Sequence, residues 1–399
     1  MNYIIADEPG VKQQLLPFTF TRPVCEIRIG ILTIREKWKI ALASKASVKT
    51  EKYLSAKYPL QTAKDNVWIN GAALPSTNLV KAIKSLKVNE GLVAENLLLA
   101  IHSGTSVLEN FTLVSAKREY KLKEYKLGKD DIVIQHTWDV FSKNKEALEQ
   151  DFATLTKGRK SAKVSSTNTL LGKNIFIEKG AKLECAILNS NSGPIYIGKD
   201  TEVMEGAVIK GPFALCEGST VKVGAKIYGA TTVGPYSKVG GEISNAVIFG
   251  YSNKGHDGFL GNAVIGEWCN LGADTNNSNL KNNYSVVKVW SYAESKEVST
   301  GLTFCGLMMA DHSKCGINTM FNTGTVVGVA SNIFGGDFPK KFIPSFSWGG
   351  AKGFVTHQLD KACETAERMF ERRHIKFDKT EKQILTEVFK LTQKERKRY

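Results

Sequence analysis

At 399 residues, with 42% hydrophobic and 23% charged side chains, the chain has the composition of a folded protein of two or three domains and excludes a disordered or low-complexity one. Its formal net charge of +15 is distributed, with local density in KREYKLKEYKLGK (117–129) and the terminal QKERKRY. Neither stretch has the motif context of a nucleic-acid module, and diffuse positive charge suits phosphate-bearing small molecules equally well.

The N-terminus turns acidic by Asp7, and no run approaches the roughly 18 apolar residues of a spanning helix. The seven cysteines are scattered, form no C-x-x-C pair and read as free thiols. A cytoplasmic protein without membrane insertion is the expectation.

In chain order, residues 1–160 mix strand-like and helix-like segments. YIIA (3–6) and NVWIN (66–70) read as short buried strands, and TNLVKAIKSLK has helical apolar spacing at Leu79, Ile83 and Leu86. DFATLTKGRKSAKVSST (151–167) is polar and basic, and reads as a linker.

The texture then changes. Ile197, Val203, Ile209, Leu215, Val221, Ile227, Val233 and Val239 recur at unbroken six-residue steps. A helix turns about 100° per residue, so such a series would point in three directions. In extended structure six is even, and all members share one face. Short strands separated by turns satisfy both conditions, which is the signature of a parallel β-helix. A second phase fits Val247, Asn253, Phe259, Ile265 and Leu271, and a weaker third fits Cys305, Ile317, Thr323 and Val329. Between them, residues 276–300 lack the period and form a long excursion. Beyond 355 the pattern is helical, with Leu359, Cys363, Ala366, Met369 and Phe370 on one stripe, and suits a cover for the end of the stack. The expected divisions are an α/β domain (1–160), a β-helix (161–355) and a C-terminal helical extension (356–399).

GHDGFLGNAVIGEWCNLGADTNNSN (255–279) resembles the acetyltransferase half of the bifunctional N-acetylglucosamine-1-phosphate uridylyltransferase/glucosamine-1-phosphate acetyltransferase family. That family reads G-H-x-x-Y-x-G-D-A-x-I-G, then N-I-G-A-G-T, then N-Y-D-G, on a left-handed parallel β-helix. The resemblance places His256 on the catalytic histidine, Asn270 and Asn279 on sugar-binding asparagines, and Ala273 beside the acyl-CoA site. Phe259 stands at a substrate-binding tyrosine, Leu280 at another tyrosine and Asp274 at a glycine. A pocket without those phenolic hydroxyls is expected to prefer a different ligand. Histidine titrates near neutrality and suits proton removal from an attacking amine or hydroxyl. Lys281 and Lys288, in the excursion, are candidate phosphate contacts. His312 reads as a turn or interface residue, since two solenoid histidines are too few for a zinc hydrolase.

PFTFTRPVCEIRIGILTIREKWK (17–39) resembles a worn sugar-1-phosphate nucleotidyltransferase opening, with Arg22, Arg28 and Lys37 as phosphate-binding candidates. The family's L-x-A-G-x-G-T-R loop is reduced to one glycine, with Asp7 and Glu8 nearby; Asp7 is a candidate magnesium ligand. The resemblance implies acetyl transfer from acetyl-CoA or another acyl-CoA to an amino sugar phosphate or nucleotide sugar, by a homotrimer. It also implies a nucleoside triphosphate and Mg2+ if the N-terminal half is active. A nucleotidyltransferase whose β-helix only assembles or regulates, and an inactive scaffold, remain open at this point.

Overall fold

The computed structural model describes residues 1–104, 108 and 110–397. Arg398 and Tyr399, at the end of the basic terminal stretch, lie outside the described residues. The chain divides into two compact units: residues 1–27 with 32–136, and residues 28–31 with 137–399.

The first unit is built on a six-stranded mixed sheet. Its strands are β1 (Asn2–Ala6), β2 (Ala46–Lys49), β3 (Asn66–Asn70), β4 (Glu90–Ala94), β5 (Leu97–Gly104) and β6 (Lys121–Glu124), in the order β2-β1-β3-β5-β4-β6. β1 is parallel to both β2 and β3, while β5 runs antiparallel to β3 and β4. The apolar runs expected to be strands are β1 and β3, and Ile4, Ile5, Trp68 and Ile69 are fully buried. Continuous burial is what a sheet covered on both faces requires. The helix Thr77–Lys84 buries Leu79 and Ile83, as its spacing predicts, and Ser76 caps it by accepting from the Leu79 amide.

The second unit is a parallel β-helix of about ten turns, followed by helices. Three sheets of six, nine and ten strands form its faces, the last ending in an antiparallel hairpin, Ser347–Gly350 with Gly353–Thr356. The eight residues of the first six-step series all lie in its buried core. Each such aliphatic side chain contributes about 1.5–3 kcal/mol by leaving water, and no coil encloses enough of them alone.

The later registers differ from expectation. Val233 pairs with Ile248 and Ile243 with Leu260, so Ile248 and Leu260 point inward and Val247 and Phe259 are their neighbours. Val239 pairs with Lys254, which takes the interior slot expected for Asn253. The steps from Val239 to Ile243, Ile243 to Ile248 and Leu260 to Ile265 are shorter than six, so tightened corners shift the phase. In the last coils the inward residues are Met309, Cys315, Phe321, Val327 and Ile333, whereas Ile317 is 70% exposed.

One corner column is built from residues with positive φ: Tyr236, Tyr251, Trp268 and His312. Left-handed backbone is costly for side-chain-bearing residues, and here their rings stack. Tyr236 and Tyr251 lie 5.3 Å apart, and Tyr251 and Trp268 4.4 Å apart. Phe370, on the helix Leu359–Glu371, stacks on Trp268 at 4.0 Å, and Phe389 meets Phe346 edge-on at 5.0 Å. The terminal helices are therefore a cover for this column and belong to the solenoid's unit. Cys363, Ala366 and Phe370 supply the buried stripe; Leu359 and Met369 are only half-buried.

The expected linker from 151 begins inside a helix, Asn144–Thr156. That helix packs with the solenoid: Asn144 Nδ2 donates to the Ala230 carbonyl at 2.8 Å, and its Oδ1 accepts from the Gly30 amide at 2.7 Å. The excursion is also structured. Lys288–Ser291 and Lys296–Ser299 form an antiparallel hairpin, anchored by Trp290 stacked on Phe342 at 4.3 Å.

Candidate active site in the solenoid

His256 lies in the turn 255–258, between the strands Asn253–Lys254 and Phe259–Gly261. The turn needs room on both sides, and glycines provide it. Cβ atoms at Gly240 or Gly241 would press within 2.6–2.8 Å of the carbonyls of Gly255 or His256. Gly258 has φ +105°, and a side chain there would strike the Thr275 carbonyl on the next coil. The turns around 240, 256 and 274 are thus stacked corner on corner. His256 is exposed, and its ring has no hydrogen-bond partner among the described residues.

The neighbouring candidates fall into two groups. Asn270 is exposed and pairs in register with Asn253, whose Nδ2 lies 3.5 Å from Asn270 Oδ1; Ala273 is half-buried on the turn leading into Asp274. Phe259 and Asn279 meet over Gly261, where a Cβ would collide with the Phe259 ring and lie 2.8 Å from Asn279 Nδ2. Asn279 also donates to Asn262 Oδ1 at 2.7 Å. This brings His256, Asn270, Ala273, Phe259 and Asn279 onto adjacent coils. The lysines of the excursion are engaged elsewhere. Lys281 donates to the Val286 carbonyl at 2.9 Å within its own loop, and Lys288 lies on the hairpin, where its carbonyl accepts from Lys341 at 3.0 Å. No contact among the described residues joins either lysine to the histidine turn.

Sequence reasoning missed Lys254. Its Nζ donates to the carbonyls of His256 and Asp257 from inside the solenoid. The flanking aliphatic residues Ile248 and Leu260 carried the signal, because a phase through them lands on Lys254. His312 is buried in the aromatic column, beside Trp268 and Phe370, which accords with a turn residue. No cluster of three metal-ligating side chains occurs among the described residues.

In the first unit, β2-β1-β3 order makes the carboxyl end of β1 a switch point, where open α/β sheets bind ligands. A cleft of about 240 Å³ opens there, lined by Asp7, Lys12, Lys49, Thr50 and Lys52 among others. Asp7 Oδ2 accepts from Lys12 Nζ at 2.8 Å and Thr50 Oγ1 at 2.6 Å, and Oδ1 accepts from the Val24 amide at 2.8 Å. Both of its oxygens are thus committed, and the ammonium fills the place a cation would take. As arranged, the residues do not fit magnesium at Asp7. Arg22 and Lys37 are buried, and Arg28 belongs to the solenoid's unit, where its guanidinium donates to the carbonyls of Phe249 and Ile31.

Residues 3–160 match the sugar nucleotidyl transferase family. A bifunctional sugar-1-phosphate nucleotidylyltransferase/acetyltransferase of Sulfurisphaera tokodaii is 24% identical over 66% of this chain and 59% of its own length. The bifunctional protein GlmU of Methanocaldococcus jannaschii is 31% identical over 53% of this chain and 45% of its own. The chain therefore spans about half the length of these relatives. Among solved structures, the polySia-specific acetyltransferase NeuO covers 53% of this chain and 99% of its own, at 15% identity and a TM-score of 0.29. Residues 3–160 are thus similar to sugar nucleotidyl transferases, and the two longer matches are to bifunctional proteins, one of them a sugar-1-phosphate nucleotidylyltransferase/acetyltransferase.

Proposed function

We propose that the solenoid transfers an acyl group, acetyl by preference, from acyl-CoA to an amino sugar phosphate or nucleotide sugar, with His256 as the base. The observation that carries this reading is an exposed imidazole on a braced turn, with Asn270, Ala273, Phe259 and Asn279 on adjoining coils. As the acceptor amine attacks the thioester carbonyl, the C–N bond forms and His256 takes the amine proton. The C–S bond then breaks and the proton passes to the departing sulfur, releasing free thiol. Asn270 and Asn279 would hold the sugar. The ring of Phe259 presents an apolar face where a phenol would offer a hydrogen bond, favouring an acceptor with less polar substitution there. Lys281 and Lys288 contact phosphate in this scheme only if ligand draws them from their present partners.

A cytoplasmic homotrimer accords with this reading, since an exposed histidine on the outer surface leaves room for a neighbouring subunit to complete the pocket. For the N-terminal unit, the family match and the switch-point cleft support binding of a nucleoside triphosphate or sugar phosphate, with Lys12, Lys49 and Lys52 nearby. No step is assigned there to magnesium.

The test is thiol release from acetyl-CoA by the full chain across a panel of amino sugar phosphates and nucleotide sugars. Wild type releases thiol only with an acceptor present, and His256→Ala lowers the rate by about 10²–10⁴-fold. Equal rates for the two proteins contradict the assignment.

A further inference from the structure

Lys254 occupies an interior slot that Val239 fills on the preceding coil and Leu271 on the following one, and it is 2% exposed. An ammonium in such a place is expensive unless its protons are used. Its Nζ donates to the carbonyls of His256 and Asp257, the second at 2.8 Å, with the Gly240 carbonyl at 3.5 Å. All three are neutral acceptors. Asp257 and Asp274 attract it from farther off, yet burial draws its pKa down to about 8. Packing does not call for it, because aliphatic side chains fill equivalent positions on the same sheet.

The consequence lies in the peptide planes. Neither the 256–257 nor the 257–258 bond is cis, and in a trans peptide the C=O and the following N–H point in opposite directions. Drawing the carbonyls of His256 and Asp257 inward therefore turns the N–H groups of Asp257 and Gly258 to the outer side of the turn. Neither amide has an acceptor among the described residues. The His256 side chain, on the same turn, is exposed as well.

We propose that Lys254 is a positioning residue, whose ammonium aims the Asp257 and Gly258 amides outward beside His256 as a donor pair for the thioester oxyanion. Donors fixed in advance are worth most where negative charge develops. The chemistry rests on the acyl-transfer reading; the bracing of the turn does not. The direct probe is Lys254→Met, which keeps an unbranched apolar stem and removes the charge. Two readouts are taken on the full chain. The first is cleavage by a protease that cuts before aspartate, comparing Asp257 with the exposed Asp337. The second is the division of any rate loss between kcat and KM.

The expected result is cleavage before Asp257 about tenfold faster with Asp337 unchanged, and kcat lower by about 10–100-fold with KM for acyl-CoA within about twofold. An unchanged cleavage ratio, equal acceleration at both sites, or an unchanged kcat overturns the proposal. Lys254→Gln, a shorter side chain that still donates, is held to the same pair of readouts should the methionine variant not fold. If wild type acylates no acceptor, the functional reading fails, while the cleavage ratio still decides whether Lys254 braces the turn.

Discussion

The two units bury a lysine in opposite ways. In the first, Lys12 is matched by a carboxylate, Asp7, and both side chains are buried around a closed set of hydrogen bonds. In the solenoid, Lys254 has only carbonyl partners, and those carbonyls belong to the turn that exposes His256. One arrangement uses charge to settle the interior of a loop; the other uses it to shape a surface. The contrast extends to the other candidates. Arg22, Arg28 and Lys37 are buried, whereas His256 and Asn270 face outward.

The sharpest way to break the comparison is to remove each ammonium. Lys12→Met leaves the Asp7 carboxylate buried without its cation and is expected to cost about 3–5 kcal/mol. Lys254→Met orphans no charge. Its cost is the lost donation to backbone oxygens, about 1–3 kcal/mol, offset by relief of a buried ammonium. Denaturant midpoints of the two variants measure the difference, and equal losses would erase the distinction.

A second contrast concerns pH. The folded-state pKa of Lys254 is about 8, below the ordinary lysine value of about 10.4. Between those values the unfolded chain binds more protons than the folded one, so stability rises as pH climbs through the window. Lys314, also drawn down to about 8 by burial, adds to the same rise. Lys254→Met should show a shallower increase than wild type from pH 8 to 10, followed by thermal unfolding; identical slopes would mean that Lys254 does not titrate there.

Smaller effects define the pocket. Phe259→Tyr is expected to shift acceptor preference by about tenfold in kcat/KM toward sugars with a hydrogen-bonding group at that position. Lys281→Ala and Lys288→Ala should each change the rate by no more than about twofold, as exposed substitutions away from the turn do. A larger loss would show that the excursion folds over the bound ligand.

Much of the solenoid was legible in the sequence because its first eight aliphatic residues follow at uninterrupted six-residue steps, and an even period puts them all on one face. The phase was lost where corners tighten. Val247 and Asn253 keep a six-residue relation to Leu271, and nothing in that count reveals that Ile248 and Lys254 have turned inward. A lysine in a core slot also reads as an error of register until its carbonyl partners are seen. His256, Asn270 and Ala273 were legible through their local motif, since adjacency within two coils is nearly adjacency in sequence. In the first unit, Asp7 and Lys12 depend on a contact with Thr50 on the strand-end beyond, and no local pattern announces that closure.

The most direct measurement is a matched comparison of wild type, His256→Ala and Lys254→Met for acceptor-dependent thiol release at equal folded concentration. Catalysis by His256 predicts a rate near background for His256→Ala and an intermediate rate for Lys254→Met, with thermal unfolding of both close to wild type. Full activity in His256→Ala would contradict it.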